Sequence, residues 1–363
     1  MTTIYLDNAA TTPICDAAKK VILENIDSFG NPSSNHELGR QSRVLIEDAR
    51  ERIAKCINAE PNEVYFTSGG SEANTWALHD RISIATNFEH HSIVANSNNV
   101  FIDDNGFVKT HNFSHINHRL ANYFEIGSCM YVNNELGTIQ PIKEIANIMH
   151  GKHMLFHTDA VQAMPYMHID VKDLNCDMLS ASAHKFGGLK GVGFLYIKDG
   201  ITMRPLINGG KQELSKRGGT ENILGITSMA AALEDTVLHI EERNAYIQNL
   251  RDTMLEKLLQ IPGSHLNGSL KNRVCSNINI RFDGVSGARL VALCSLYGIY
   301  ISSGSACNEG ISEPSHVLTA IGLTKEEALS SIRITIGHTN TYEEILQAAE
   351  IITKLVERIR LDS

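Results

Sequence analysis

One cysteine of the sequence stands in a setting that suits a reactive thiol. Cys307 lies in SSGSACNEGISEP, where glycine, serine, amide and acidic side chains surround it and apolar ones are scarce. A structural cysteine usually has apolar neighbours, whereas a nucleophilic thiol must be reachable and able to ionise. An inert thiol in a loop is the alternative interpretation, so other residues must decide whether Cys307 does chemistry.

A glycine-rich turn nearer the N-terminus could hold a phosphate. TSGGSEANTWAL (67–78) follows a strand-like run and continues as a helix pattern. The free N–H groups and the positive dipole end of a helix N-terminus suit an anion. The glycine spacing differs from that of a Walker loop or a dinucleotide fingerprint, so a monophosphate is the better fit. Glycines that serve turn geometry alone are the simpler alternative.

A third group of residues is suited to an aldehyde cofactor. Ser182, His184 and Lys185 stand together in SASAHKFGG, and Asp159 follows an apolar run in HTDAVQA. A lysine amine can form a Schiff base with an aldehyde, and an aspartate can keep a pyridine nitrogen protonated. Alone, Lys185 could be a solvated lysine and Asp159 a helix cap. Together with the phosphate turn, they favour pyridoxal 5'-phosphate as the cofactor.

The elements around these residues predict a mostly parallel sheet. Strand-like runs cover residues 63–70, 127–135, 154–161, 178–185 and 191–198. A helix pattern over 141–152 separates two of them. This alternation is typical of βα units whose sheet is covered by helices, with functional groups at the carboxyl ends of the strands.

Two amphipathic helices are predicted as scaffold. The pattern over 39–57 has an apolar face that consists of Ile46, Ala49, Ile53 and Ile57. The pattern over 341–359 opens with a capping box formed by Thr341 and Glu344. Its apolar stripe consists of Ile345, Ala349, Ile352, Val356 and Ile359.

A long helix pattern over 225–260 precedes a change to loops and strands, and we place a domain boundary near residue 245. The prediction is a large cofactor-binding domain over 15–245. Residues 1–14 with 246–363 form the predicted small domain, which carries Cys307.

Composition and charge narrow the class of protein. The net charge of −9 and the lack of a long basic run argue against direct nucleic-acid binding. Seven cysteines, scattered and never spaced as C-x-x-C, fit reduced thiols better than disulfides. The N-terminal residues lack the pattern of a signal peptide, and no apolar run is long enough to span a membrane. We therefore expect a cytoplasmic protein with no membrane association.

The chain resembles a class I cysteine desulfurase of the NifS/IscS type, within the class V aminotransferases of the fold type I pyridoxal-phosphate enzymes. The motifs that carry the resemblance are YLDNAATTP (5–13), GNPSSNHELGR (30–40), FTSGGSEAN (66–74), EHHSIV (89–94), VNNELGTIQPI (132–142), HTDAVQA (157–163), SAHKFGGLKGVGFLY (182–196), RGGTEN (217–222), SSGSAC (302–307) and SSIRITIG (330–337). The resemblance implies an α/β fold, with a large domain whose mostly parallel sheet is covered by helices and a smaller α+β domain. It also implies a homodimer.

The resemblance further implies a role for each matched residue. Lys185 would bind the cofactor aldehyde and move the substrate proton, His90 would stack on the pyridine ring, and Asp159 would pair with the ring nitrogen. Gln162 and Asn134 would contact the phenolic oxygen or neighbouring groups. The matched phosphate ligands are Gly70, Ser71, Ser182, His184 and, from across a dimer interface, Thr220.

The substrate implied by the resemblance is L-cysteine. Arg333 would hold its carboxylate, a task for which a guanidinium fork is suited, and Asn134 would lie beside it. Cys307 would attack the substrate sulfur and keep it as a persulfide, and a sulfur-acceptor protein would then receive it.

Three features depart from the family. The segment 75–130 is shorter than in typical members, so the resemblance does not determine the dimer surface or the substrate entrance. His111, His115 and His118 fall in this segment, and we interpret them as a surface coincidence, so no metal site is predicted. Glu309 adds an acid near Cys307 and would tend to raise the pKa of its thiol.

Three functions remain possible at this point. The first is a cysteine desulfurase that supplies sulfur for iron–sulfur cluster assembly or for tRNA or cofactor thiolation. The second is a selenocysteine lyase, or another pyridoxal-phosphate-dependent lyase or aminotransferase on the same fold. The third is a non-catalytic sulfur-carrier or scaffold subunit.

Overall fold

A seven-stranded sheet organises the first two thirds of the chain. The computed structural model describes residues 3–94, 97–100, 105–110, 125–303, 307–308 and 311–362. After the short strand β1 (Ile4–Tyr5), the strands of the sheet are β2 (Val64–Thr67), β3 (Ser83–Thr86), β4 (Ser97–Val100), β5 (Ile126–Ser128), β6 (Leu155–Asp159), β7 (Met178–Ser182) and β8 (Gly193–Ile197). Their order across the sheet is β2-β8-β7-β6-β5-β3-β4. Only β8 runs against its neighbours, so the prediction of a mostly parallel sheet is confirmed.

Helices cover this sheet and continue towards the C-terminus. They are α1 (Asp16–Asn25), α2 (Glu37–Cys56), α3 (Gly70–Leu78), α4 (His91–Val94), α5 (Ile142–His150), α6 (Val171–Leu174) and α7 (Ile223–Leu259). The predicted apolar face of α2 is buried, from Ile46 to Ile57. Short 3₁₀ turns cover Pro61–Glu63, Ala183–Lys185 and Gln212–Ser215.

A smaller α+β part follows α7. Its three-stranded antiparallel sheet contains β9 (Ser264–Leu266), β10 (Asn277–Phe282) and β14 (Ser331–Thr335). The remaining elements are α8 (Gly287–Leu296), β11 (Ile299–Tyr300), β12 (Cys307–Asn308), β13 (Ile311–Ser312), α9 (His316–Ala320), α10 (Lys325–Leu329) and α11 (Tyr342–Leu361). The capping box that opens α11 is present, and its predicted apolar stripe is buried. The N-terminal strand β1 pairs in parallel with β11.

All five predicted strand runs extend past the observed strands, and for two of them the reasons are local. The run over 127–135 stays in the sheet only to Ser128. Beyond that point the Asn133 side chain accepts N–H groups of Glu135 and Leu136, which turns the chain out of the sheet. The run over 178–185 ends at Ser182, because the next three residues form a 3₁₀ turn. This turn brings Lys185 to the edge of the sheet.

The buried residues support a division of the chain into two parts, but some residues of the smaller part pack in the core of the larger one. One cluster unites Ile4 and Leu6 with residues from 247 to 359, as the predicted small domain requires. Val317, Leu318 and Ile321 nevertheless pack in the core of the larger part. The boundary near 245 falls inside α7 and stays a prediction, with the segment around α9 docked on the large sheet.

Among the described residues, α7 alone has the length and apolar composition of a membrane span. Of its most apolar stretch, 61% is buried inside the protein. The helix packs against α1, α2 and α11. We therefore interpret α7 as a core helix that joins the two parts of the chain.

A buried ion pair ties α2 to the large sheet. The Arg50 guanidinium binds both carboxylate oxygens of Glu213, at 2.8 and 2.9 Å, and donates to the Val64 carbonyl. Glu213 also accepts the Phe66 N–H at 2.9 Å. Only 7% and 2% of the two charged side chains are exposed. Residues Glu213 to Ser215 all have a left-handed backbone conformation, which is unusual for residues other than glycine. The Arg50–Glu213 pair therefore also holds a strained turn.

We expect Arg50→Ala to destabilise the protein by about 3–5 kcal/mol, because it leaves the Glu213 carboxylate buried without its partner. Urea unfolding followed by circular dichroism measures this change. Arg40→Ala is the matched control, since Arg40 lies on the same helix and pairs with Glu37 at the surface. Its unfolding midpoint should match that of the wild type. Equal midpoints for the two variants would contradict the structural role of the buried pair.

Candidate active site

A cavity of about 330 Å³ lies at the carboxyl ends of the parallel strands. It gathers ten of the twelve predicted site residues. These are Gly70, Ser71, His90, Asn134, Asp159, Gln162, Ser182, His184, Lys185 and Arg333. Ala9, Ala10 and Asn74 also line the cavity, although the sequence suggested no role for them. The fold therefore places residues from six separate motifs around one space.

Asp159 is the buried acid of this cavity. It ends β6 and is only 4% exposed. One of its oxygens accepts the Val161 N–H at 2.9 Å, and the other accepts the Asn74 amide at 2.7 Å. Two donors thus fix the carboxyl group at the cavity wall, where it suits a protonated ring nitrogen.

Lys185 lies across from this acid, on the turn that follows β7. Its amine donates to the carbonyls of Ala9 and Ala10, each at 2.7 Å. Burial lowers the pKa of Lys185 to about 8, and the positive charge of Arg333 acts in the same direction. Asp159 and Asp7 oppose this shift. The amine is therefore far closer to its neutral, nucleophilic form at physiological pH than an ordinary lysine.

The opposite end of the cavity is suited to a phosphate. It contains the N-terminus of α3, which begins at Gly70. A Cβ atom on Gly70 would come within 2.8 Å of the Val161 side chain, so the turn requires glycine. His184 Nδ1 lies 3.1 Å from the Thr11 hydroxyl, and burial is the main cause that lowers the pKa of His184 to about 4. His184 is thus neutral, and it lines the same cavity as Ser182.

Arg333 supplies a cation at the side where the two parts of the chain meet. Its Nη2 binds the Asp7 carboxylate at 2.8 Å, and its Nη1 donates to the Asn134 carbonyl at 3.0 Å. The Nε atom is buried and has no hydrogen-bond partner among the described residues. Arg333 is thus held in place by two of its five N–H donors, and the others remain for an incoming carboxylate.

Among the predicted residues whose side chains the structure describes, Thr220 does not line the cavity, and others cannot be placed. Thr220 is exposed, on the loop after the strained turn at Glu213. The Cys307 backbone pairs with Ser312, and its side chain lies outside the described part of the chain. Glu309 and the three histidines at 111, 115 and 118 also lie outside the described residues.

Sequence reasoning missed Asp7 and Asn74. Both stand inside motifs that carried the resemblance, YLDNAATTP and FTSGGSEAN, but neither motif indicates what its polar residues contact. Their partners Arg333 and Asp159 are 326 and 85 residues away in the chain. A polar residue inside a motif is the signal that could have drawn attention to them.

The chemistry of these donors fits pyridoxal phosphate. The buried acid could hold a ring nitrogen, the lysine with its lowered pKa could bind an aldehyde, and the helix N-terminus with the polar residues near it could hold a phosphate. Gln162 donates to the Ala9 carbonyl at 2.8 Å and thereby holds the N-terminal segment over the cavity.

We expect Lys185 in the cofactor-free protein to react with an amine reagent with a half-maximal rate near pH 8, because only the neutral amine attacks. Trinitrobenzenesulfonate labelling, read by peptide mass spectrometry, measures the profile. Lys354, exposed and with its pKa raised by Glu350, is the control and should react only at higher pH. Arg333→Gln should move the Lys185 midpoint upwards, since it removes a neighbouring cation. A midpoint in the ordinary lysine range would contradict this description.

Comparison with known proteins gives the family. The aminotransferase class-V family model matches residues 4–347. Cysteine desulfurase IscS of Methanosarcina thermophila is 40% identical, over 98% of this chain and 93% of the relative. A NifS-like protein structure from Rickettsia africae superposes with a TM-score of 0.90 at 31% identity, over 98% of this chain and all of that one. The structure of SspA in complex with cysteine has a TM-score of 0.81 at 32% identity, over 93% and 100%. The chain therefore belongs to the aminotransferase class-V family and, within it, to the cysteine desulfurases of the IscS and NifS-like type.

Proposed function

We propose that this protein converts L-cysteine to L-alanine and keeps the sulfur as a persulfide on Cys307. The observation that carries the proposal is the cavity that unites Asp159, Lys185 and Arg333 at the carboxyl ends of the strands. Its charges match an amino acid bound beside a pyridine cofactor. Membership of the cysteine desulfurases supports L-cysteine as that amino acid.

Residues of the chain would hold the cofactor at four points. Asp159 would hold the ring nitrogen, His90 would stack on the ring, Lys185 would bind the aldehyde, and Ser182 with the α3 N-terminus would hold the phosphate. When bound, pyridoxal phosphate supplies an electron sink for charge that develops at the substrate Cα. Lys185 would also be the base that moves the Cα proton, and its lowered pKa suits proton transfer near neutral pH.

Substrate orientation would depend on Arg333. Its side chain is fixed by Asp7 and by the Asn134 carbonyl, so little freedom is lost when a carboxylate binds. The carboxylate would offset the positive charge of Arg333, which together with burial lowers the pKa of Lys185 in the free protein. Asn134 would contact the substrate from the same side.

The sulfur step would belong to Cys307. Its thiolate would attack the substrate sulfur, so that an S–S bond forms, the C–S bond breaks, and the carbon fragment takes up a proton and leaves as alanine. The chain on both sides of Cys307 is tied near the cavity. Ser302 exchanges two backbone hydrogen bonds with Arg333, at 3.1 and 2.7 Å, and the Ser315 hydroxyl donates to Glu135 at 2.6 Å.

A persulfide on the protein implies a partner that takes the sulfur. We propose a sulfur-acceptor protein of iron–sulfur cluster assembly or of tRNA or cofactor thiolation, and a cytoplasmic location, as the sequence predicts. The formal charge of −9 gives no support to direct nucleic-acid binding.

We also propose that the protein acts as a homodimer. The stretch over residues 23–44 exposes five large apolar side chains, Leu23, Ile26, Phe29, Leu38 and Val44. Phe29 alone is 82% exposed, which is costly unless another surface covers it. Thr220 is exposed rather than in its own cavity, as expected for a residue that contacts the partner's phosphate. A second copy of the chain would account for both features.

We expect Cys307→Ser to abolish persulfide formation and to reduce alanine production from L-cysteine to background, because a hydroxyl is not ionised near neutral pH. Mass spectrometry of the protein and chromatography of free alanine measure the two products. Cys56→Ser is the control, since the Cys56 thiol is partly buried on α2 with its pKa raised to about 11, mainly by burial. It should behave as the wild type. Alanine production that survives Cys307→Ser would favour a lyase that releases sulfur or selenium directly, and no alanine from the wild type would favour the scaffold.

We expect the double variant Phe29→Asp/Val44→Asp to raise the dimer dissociation constant at least about tenfold, because two charges would be buried in the interface. Size-exclusion chromatography with light scattering measures the masses over a dilution series. Leu361→Asp is the control, as Leu361 is 88% exposed at the other end of the chain. A wild type that is monomeric at all concentrations would refute the homodimer.

A further inference from the structure

A chain of hydrogen bonds joins His90 to Asp159 through two side chains to which the proposed chemistry gives no role. The Asn74 amide nitrogen lies 2.7 Å from an Asp159 oxygen and 3.0 Å from the Ser92 hydroxyl. The same hydroxyl lies 2.8 Å from His90 Nδ1. The path therefore runs from the acid of the cavity, through Asn74 and Ser92, to the predicted ring-stacking histidine.

The orientation of the Asn74 amide follows from its partners. Asn74 is 1% exposed, and its nitrogen has two hydrogens to donate. The Asp159 oxygen is an acceptor, so an amide oxygen in that position would be repelled. One hydrogen goes to Asp159 and the other to Ser92, and the Asn74 Oδ1 atom has no partner among the described residues. Both donors of this buried amide are thus committed.

The Ser92 contacts determine the tautomer of His90. The Ser92 backbone N–H donates to His90 Nδ1 at 3.2 Å, so this nitrogen is an acceptor. The Ser92 hydroxyl, 2.8 Å from the same nitrogen, therefore donates its hydrogen to it, while its oxygen accepts from Asn74. A ring nitrogen that accepts two hydrogen bonds carries no proton, so His90 is neutral with its hydrogen on Nε2.

The charged groups around His90 shift its pKa in opposite directions. Its pKa is lowered chiefly by burial, and the cationic forms of His91, Lys185 and His316 lower it further. Asp159 alone among the named neighbours raises it. Hydrogen bonds donated to Nδ1 favour the neutral form and add to the lowering, so their loss should raise the pKa.

We propose that Asn74 is a positioning residue whose one amide fixes the Asp159 carboxyl group and orients the Ser92 hydroxyl that donates to the neutral His90 ring. Asn74 lies one turn after Gly70 and Ser71 on α3, so the helix that provides the phosphate end of the cavity also sets the contacts of the ring. A shift of α3 would therefore change the phosphate end of the cavity, the Asn74–Asp159 contact and the Asn74–Ser92 contact together. The inference rests on the proposed function only in assigning His90 and Asp159 to the cofactor ring.

The test uses Asn74→Ala and Ser92→Ala in the full-length protein. NMR titration of the cofactor-free protein, with the His90 resonance identified by its absence in His90→Gln, gives the pKa of His90. It should rise in both variants. Equilibrium dialysis should show pyridoxal phosphate binding weakened roughly tenfold in Asn74→Ala, which removes a hydrogen bond to a charged partner, and nearly unchanged in Ser92→Ala.

Asn267→Ala is the matched control. Asn267 is also 1% exposed, and its amide donates to Asn279 at 2.7 Å and to the Ser331 hydroxyl at 2.9 Å, away from the cavity. It should lose stability and leave both measurements unchanged. If Asn74→Ala does not fold, the His90 titration of Ser92→Ala still tests whether the Ser92 hydroxyl donates to His90.

Two results would overturn the inference. An unchanged His90 pKa in Ser92→Ala would show that the Ser92 hydroxyl does not donate to His90 Nδ1. Unchanged cofactor affinity in Asn74→Ala would show that the amide does not hold Asp159. Neither measurement depends on turnover, so a protein that shows both shifts but makes no persulfide from L-cysteine would keep this inference and lose the proposed reaction.

Discussion

The burial of the Asp159 carboxyl group is the constraint on which the site depends. A polar group that is only 4% exposed is costly unless donors surround it, and here the Val161 N–H and the Asn74 amide provide them. The parallel sheet makes this possible, because β6 ends at the edge where α3 begins. The other cavity residues lie around this fixed carboxyl group. A protonated pyridine nitrogen would be a further hydrogen-bond donor to it.

The same cavity balances two cations against two acids. Arg333 and the burial of Lys185 together push the amine towards neutrality, while Asp159 and Asp7 oppose them. Asp7 also binds Arg333, so it keeps the guanidinium in place and limits its effect on the lysine. This balance explains how a chain with one lysine in the cavity can offer both a nucleophilic amine and a cationic site for a substrate carboxylate.

The sequence was sufficient for the fold and for most of the cavity, because each signal was local. Helix stripes, strand-like runs and motif matches depend on neighbours in the chain, and the strand ends then brought Gly70, Asp159 and Lys185 together. Asp7 and Asn74 were missed because their roles exist only through partners far away in the chain. The predicted run over 127–135 was too long for a related reason, since the turn made by Asn133 depends on a side-chain contact rather than on hydrophobicity.

In the proposed function, Arg333 would connect substrate binding to the segment that carries Cys307. Its side chain faces the cavity, while its backbone exchanges two hydrogen bonds with Ser302, five residues before the cysteine. On the far side, Ser315 is tied to Glu135, next to the Asn134 carbonyl that Arg333 also contacts. A cysteine that must reach a bound substrate and later an acceptor protein needs a segment that is anchored at both ends. It also needs enough residues between the two anchors. The twelve residues from 303 to 314 would provide that length, and the backbone of Arg333 would provide one of the two anchors.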